Sequence, residues 1–285
     1  MLKTARRAVI AAAFLITCIP ATASATWSII VLDRATGRVG VAGASCTSDV
    51  YGILAMLPGT GALVAQAIDY QPASREAIRL LRAGVAPDSV LRAITSTAID
   101  SASQDRQYGI ATFTGGQVQF TGSALHDYRG QRSADGLLVQ GNLLTGPAVL
   151  DRALEAIQQA RAAGKPLEEV VMAGLKAGAD AGGDSRCGAQ RATSAFLAVA
   201  RPGDVPNWPY LTLRVVDAEK GGHVNAVERR VVIQRPRVED DFARTLEKEA
   251  FFRVPARGHG IHDDLRPSDR AATRHGFPMR RHHFR

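Results

Sequence analysis

Beyond its first 25 residues the chain has no apolar run approaching the ~20 residues that a membrane-spanning helix needs, so no stable membrane insertion is expected. Histidine is nearly missing from the part that reads as folded. Of seven histidines, five lie beyond Pro236, and His126 and His223 alone cannot build a histidine triad or a multi-histidine metal site. No metal and no organic cofactor is expected. Cysteine is scarce as well: past residue 25 only Cys46 and Cys187 remain, a pair that can bond in an oxidising compartment where its Cα atoms come within range. The net charge of +8 comes without a basic stripe interleaved with aromatics, so no nucleic-acid partner is expected. There is no internal repeat.

What the chain does have begins at its N-terminus. The basic start MLKTARR precedes an apolar run of about 12 residues, Ala8 to Ile19, and then the small-x-small triplet Ala23, Ser24, Ala25. Residues 1–25 therefore read as a signal peptide, the protein as exported (periplasmic or secreted), and Thr26 as the first residue of the mature chain. An N-terminal threonine holds a nucleophilic hydroxyl beside its own general base, an α-amine that titrates at about 7.7–8.0. The same junction also suits an exported protein whose first residue is merely polar. Cys18, in LITC, loosely resembles a lipoprotein cleavage site, with Thr17 where a smaller residue is usual; lipidation there leaves Thr26 internal.

Strands Thr26–Asp33 and Arg38–Cys46 read as a hairpin turned at Ala35–Gly37, with Asp33 as a turn former and Gly40, Ala42, Gly43 and Ala44 leaving room for close approach. A third strand, Gly61–Tyr70, precedes helices at Ser74–Ala83 and Pro87–Ala98. Gln107–Thr114 and Gln117–Thr121 flank the Gly115–Gly116 hairpin signal, and Leu137–Leu144 adds a strand. Helices at Gly146–Ala163 and Leu167–Ala181 follow, then strands at Ala192–Ala200 and Tyr210–Asp217; Asn225–Gln234 suits either strand or helix. Buried strands between two helical pairs predict an α+β fold, a four-layer αββα sandwich of two stacked antiparallel sheets with helices outside, over residues 26–235. Residues 236–285 read as a basic, flexible tail.

The segments TWSIIVLDRATGRVGVAGAS from Thr26, QGNLLTGPAVL from Gln140 and AGGDSRCGAQRATSAFLAV from Ala181 resemble domain of unknown function 1028 (DUF1028), over about Thr26 to Asp217. That resemblance implies the N-terminal nucleophile (Ntn) hydrolase superfamily and its αββα fold. The opening is also similar to the mature start of threonine-nucleophile asparaginases, which places Ser45 where those enzymes carry a hydroxyl beside the nucleophile. Those enzymes cut themselves at a glycine or aspartate junction, whereas here Ala25 precedes Thr26 and no self-processing is required.

Thr26, Ser45 and Asn142 are the candidate catalytic residues. Gln140, Gly141 and Asn142 can aim an amide donor and backbone N–H groups at a developing oxyanion, or satisfy a strand end. Asp184 and Arg186 follow two glycines and can either grip a substrate carboxylate or form a structural salt bridge. Cys46 is a nucleophile only in principle, since no histidine is placed to activate it. The leading expectation is an exported Ntn-type amidohydrolase acting on a small peptide or acyl amide. The alternative is a non-catalytic envelope protein that binds a peptide or peptidoglycan fragment in the same cleft. Homo-oligomerisation is left open.

Overall fold

Strand β1 (Thr26–Asp33, TWSIIVLD) is buried along nearly its whole length, with Trp27, Ile29 and Val31 leaving one face and Ser28, Ile30 and Leu32 the other. An apolar strand with two buried faces demands a layer on each side, and the rest of the domain supplies them. The computed structural model describes residues 26–206, 208–216 and 230–231. The expectations for the signal peptide, Cys18, His223 and the tail lie outside the described residues.

β1 pairs along its full length with β2 (Arg38–Ser45), from Thr26↔Ser45 to Asp33↔Arg38. Asp33 forms the turn as expected: its carboxylate accepts from the N–H of Ala35 and Thr36 and from the Thr36 hydroxyl. The remaining strands are β3 (Leu54–Leu57), β4 (Gly61–Ala67), β5 (Arg106–Thr112), β6 (Gly116–Thr121), β7 (Gly130–Ala134), β8 (Leu137–Asn142), β9 (Ser194–Ala200), β10 (Leu211–Val216) and β11 (Arg230–Val231). They form two antiparallel sheets, one ordered β11-β10-β9-β2-β1-β8-β7 and the other β3-β4-β5-β6. Four α-helices among the described residues complete the mixed α+β fold: α1 (Gln71–Arg82), α2 (Pro87–Ile94), α3 (Ala148–Ala162) and α4 (Leu167–Asp180).

Three apolar clusters hold these parts together. Trp27, Ile29 and Val31 of β1 pack with Val149, Leu150 and Ile157 of α3 and Val170, Val171 and Leu175 of α4. On the other face, Ile30 and Leu32 meet Met56, Val64 and Ala111 of the smaller sheet. That sheet in turn packs Leu63, Tyr108 and Ile110 against Ala73, Ala77 and Leu81 of α1 and Val90 and Ile94 of α2. Each fully buried Leu, Ile or Val stabilises by about 1.5–3 kcal/mol, so these clusters dominate the folding free energy. No helix among the described residues is long and apolar enough to cross a membrane.

Several boundaries differ from the sequence reading. The third strand ends at Ala67, where φ reaches 76°, because Tyr70 already serves as the cap of α1. β8 stops at Asn142 because Leu143 turns to φ 52°. α2 ends at Ile94, short of Ala98. β3 and β7 were not expected at all. Of Asn225–Gln234, only Arg230 and Val231 are described, and they form a strand.

Candidate active site

Antiparallel register sets the site. Thr26 lies opposite Asn142 on β8 and Ser45 on β2, and Ser45 lies opposite Ser194 on β9. Residues directly opposite share a face, so Asn142, Thr26, Ser45 and Ser194 form one row across four strands. The face is the inner one, shared with Ile30 and Leu32. All four residues are buried, Thr26 and Asn142 each being 1% exposed. One step inward the next row carries Gln140 and Ser28.

The smaller sheet brings two glutamines to this row, and neither was anticipated from sequence. Gln66 of β4 donates from Nε2 to the Thr26 carbonyl (3.1 Å) and to Gln107 Oε1 (2.7 Å), and its Oε1 accepts from Ser28 Oγ (2.5 Å). Gln107 of β5 donates from Nε2 to Thr121 Oγ1 (2.9 Å) and to the carbonyls of Gly130 and Gly141 (3.1 Å each). Asn142 Nδ2 donates to Gln107 Oε1 at 3.1 Å. Backbone carbonyls only accept, so the Gln66 and Gln107 amides can be oriented in one way only. Asn142 must therefore turn its NH2 toward Gln107 and its Oδ1 away.

Thr26 Oγ1 donates to Ser45 Oγ at 3.2 Å, so the two hydroxyls are neighbours as the asparaginase resemblance implied. Four buried polar atoms around this row have no hydrogen-bond partner among the described residues: Asn142 Oδ1, Ser194 Oγ, and both Nε2 and Oε1 of Gln140. Each such atom costs roughly 1–3 kcal/mol of desolvation. Gly109 faces the Gln140 amide and leaves it room, since a Cβ there would stand 2.9 Å from Gln140 Oε1. Gly141 is held between Trp27 and Gly130 in the ladder, and its carbonyl accepts from Gln107.

Asp184 and Arg186 form the salt bridge that was one of their two expected roles. Asp184 Oδ2 accepts from Arg186 Nη2 (2.8 Å) and from the Cys46 N–H (2.7 Å), while Oδ1 accepts from Arg186 N–H (3.0 Å) and Nε (3.1 Å). The fully buried carboxylate thus ties the end of β2 to the loop after α4. Gly182 and Gly183, with φ of 124° and 59°, let that loop turn, since a Cβ on Gly182 would strike Thr145 Oγ1 at 2.1 Å. Cys46 is not a free thiol; it bonds to Cys187, with Cα atoms 5.7 Å apart. Among the described residues, the non-glycine positions with positive φ, Ala67, Leu143 and Arg191, follow Gln66, follow Asn142 and sit in the Arg186 loop respectively. Strained backbone concentrates around the row, as it does at functional sites.

His126 is exposed, and no group of three or more His, Cys, Asp or Glu that could hold a metal ion occurs among the described residues. A surface cleft of about 360 Å³ lined by Asp33, Arg34, Asp135, Arg161 and Lys165 opens at the far end of β1. Its nearest lining residue on β1 is Val31, about 17 Å from Thr26 at ~3.3 Å per residue, so it is no part of this site.

The model of the family described as "Family of unknown function (DUF1028)" matches residues 26–222. The chain belongs to that family. Another DUF1028 protein, SPO2555 from Silicibacter pomeroyi, has a crystal structure similar to this one, with a TM-score of 0.57 and 27% identity over 69% of this chain and 83% of that one. No curated protein matches this DUF1028 chain.

Proposed function

We propose that the chain is an exported amidohydrolase of the N-terminal nucleophile type, with a four-layer αββα sandwich and Thr26 as nucleophile. The observation that carries this reading is the Thr26 Oγ1 to Ser45 Oγ hydrogen bond at the first residue of β1. Two further facts support it. The family match starts at Thr26, directly after a signal-peptide pattern, and the Cys46–Cys187 bond suits an oxidising compartment.

Cleavage after Ala25 frees the Thr26 amine. Thr26 Oγ then attacks the substrate carbonyl while the amine takes the hydroxyl proton. The amine passes that proton to the leaving nitrogen, an acyl ester remains on Oγ, and water activated by the same amine releases the acid. Gln140 Nε2, a buried donor without an acceptor, is suited to the oxyanion. The substrate is a small peptide or acyl amide, with a carboxylate directed to Arg186 at the rim.

The test begins with the intact mass of the protein recovered from its exporting host, which should start at Thr26. A panel of aminoacyl amides and dipeptides should then be hydrolysed by the wild type and by Thr26→Ser but not by Thr26→Ala. A second reading, an envelope protein that binds a peptide or wall fragment without turnover, is favoured by the closed Asp184–Arg186 pair. Under that reading Thr26→Ala leaves ligand binding unchanged, and no member of the panel is cleaved.

A further inference from the structure

We infer that Asn142 Oδ1 is the seat of the Thr26 α-amine once the bond before Thr26 is cut, a positioning role that rests on the N-terminal-nucleophile reading above. Thr26 has three polar arms. Its hydroxyl is held from β2 by Ser45, and its carbonyl is held from the smaller sheet by Gln66. The one hydrogen of its peptide nitrogen goes to the Asn142 backbone carbonyl in the ladder, so the hydrogens that cleavage adds are the ones left to place.

The strand geometry gives the direction of the nitrogen. The Thr26 carbonyl lies on the β8 side, where a Cβ on Gly141 would stand 2.9 Å from it. Within a strand the N–H and C=O of one residue leave on the same side, so the Thr26 nitrogen also points toward β8. Its register partner on that strand is Asn142, whose side chain shares the inner face with that of Thr26.

Asn142 is preset for this task. The Gln66 and Gln107 amides, each fixed by backbone carbonyls, compel Asn142 to present Nδ2 to Gln107 and to leave Oδ1 as an acceptor. That acceptor is buried and unpartnered. A peptide nitrogen in the uncut chain carries one hydrogen, whereas the amine released by cleavage carries two and its protonated form three. Cleavage therefore creates donors beside a buried acceptor that lacks one. With the amine held from β8 and the hydroxyl from β2, nucleophile and base keep a fixed relation while the proton moves between them.

Few charges compete for the amine. The inner faces of β4, β5, β8 and β9 bring Gln66, Gln107, Gln140 and Ser194, none of them ionisable. Beyond β2 the Asp184 carboxylate is engaged by Arg186 and the Cys46 N–H, and Arg214 of β10 is paired with Asp49.

The experiment measures the pKa of the Thr26 amine in the protein recovered from the exporting host. Trace acetylation from about pH 5 to 10 brackets the ordinary α-amine range, and mass spectrometry of the N-terminal peptide reads the extent. Asn142→Leu, which leaves Gln107 Oε1 its Gln66 donor, should lower the amine pKa by about one unit; Asn142→Asp should raise it by about one unit or more. Ser194→Ala, across the row, should leave it unchanged. Opposite shifts in two variants exclude a merely structural effect, and either variant that folds suffices to test its own direction. An amine pKa that both variants leave at the wild-type value overturns the inference, as does a recovered chain that does not start at Thr26. Substrate turnover is scored separately, so shifted titration without hydrolysis sinks the hydrolase reading alone, and hydrolysis with an unmoved titration sinks the Asn142 seat alone.

Discussion

The space between the two sheets has an apolar half and a polar half, built from the same strands on the same faces. Toward one end β1 contributes Ile30 and Leu32, β8 contributes Leu138, and β9 contributes Ala198 and Ala200, with Phe196 at the boundary, level with Ser28 and Gln140. Toward the other end the same strands contribute Thr26 and Ser28, Gln140 and Asn142, and Ser194. The apolar half stabilises by burial alone. The polar half is a chain of amides with four partnerless atoms, and volume-matched apolar residues there would be at least as stable. Under the proposed function, this costly interior is kept for Thr26.

Substitutions can break this contrast or sharpen it, with turnover and hydrolysis read under the proposed hydrolase function. Phe196→Ala should have the largest effect. It removes a fully buried ring that meets Tyr51 edge-on, with centroids 5.3 Å apart, and should cost about 3–5 kcal/mol by chemical denaturation with turnover per folded molecule retained. Replacing both Cys46 and Cys187 by Ala opens a loop spanning 141 positions and should cost about 2–4 kcal/mol, read as a lower denaturation midpoint. In the polar half, Gln107→Ala should cost about 2–3 kcal/mol and also depress turnover, because it strips Asn142 and the Gly130 and Gly141 carbonyls of their partner.

Gln140→Leu should move the other way, gaining up to about 1 kcal/mol in stability while slowing hydrolysis, since neither amide atom has a partner to lose. A fall in stability there, of the size expected for Phe196→Ala, would erase the distinction between the halves. The smallest effect at neutral pH lies outside both. Burial, aided by the nearby Asp100 charge, pushes the Tyr108 hydroxyl up to about 12. The folded chain then holds that proton where the unfolded chain, near 10, has released it. Its stabilising contribution is complete below about pH 10 and declines as pH rises through 12. Tyr108→Phe should flatten the alkaline fall of the melting temperature and, because the Tyr108 hydroxyl is buried without a partner among the described residues, raise it slightly at pH 7.

The strands and helices that bury a full stripe were legible in the sequence, because TWSIIVLD or the Val170, Val171, Leu175 pattern fits one period only. β3 and β7 were not. Each is a short edge strand, LAML or GQRSA, and GQRSA alternates half-buried and exposed polar residues that carry no apolar period. Thr26, Ser45 and Asn142 were legible from the motifs only as separate candidates; strand register places them in one row. Gln66 and Gln107 escaped notice because glutamine in an apolar strand reads as an outward position. The available signal was parity: Gln66 shares its face with Val64 and Ala62, and Gln107 shares its face with Ala111, all buried. The Cys46–Cys187 bond was left open, since only the folded loop after α4 brings Cys187 to the end of β2.

That bond also encloses most of the domain. β3 to β8 and all four helices lie between Cys46 and Cys187, while β1, β2, β9 and β10 lie outside the closed loop. A protease that nicks any connection within it, such as the one joining α1 and α2, yields fragments that stay covalently joined. Such a nicked molecule travels as one species until a reductant is added, and the strands bearing Thr26 and Ser194 remain attached to the rest.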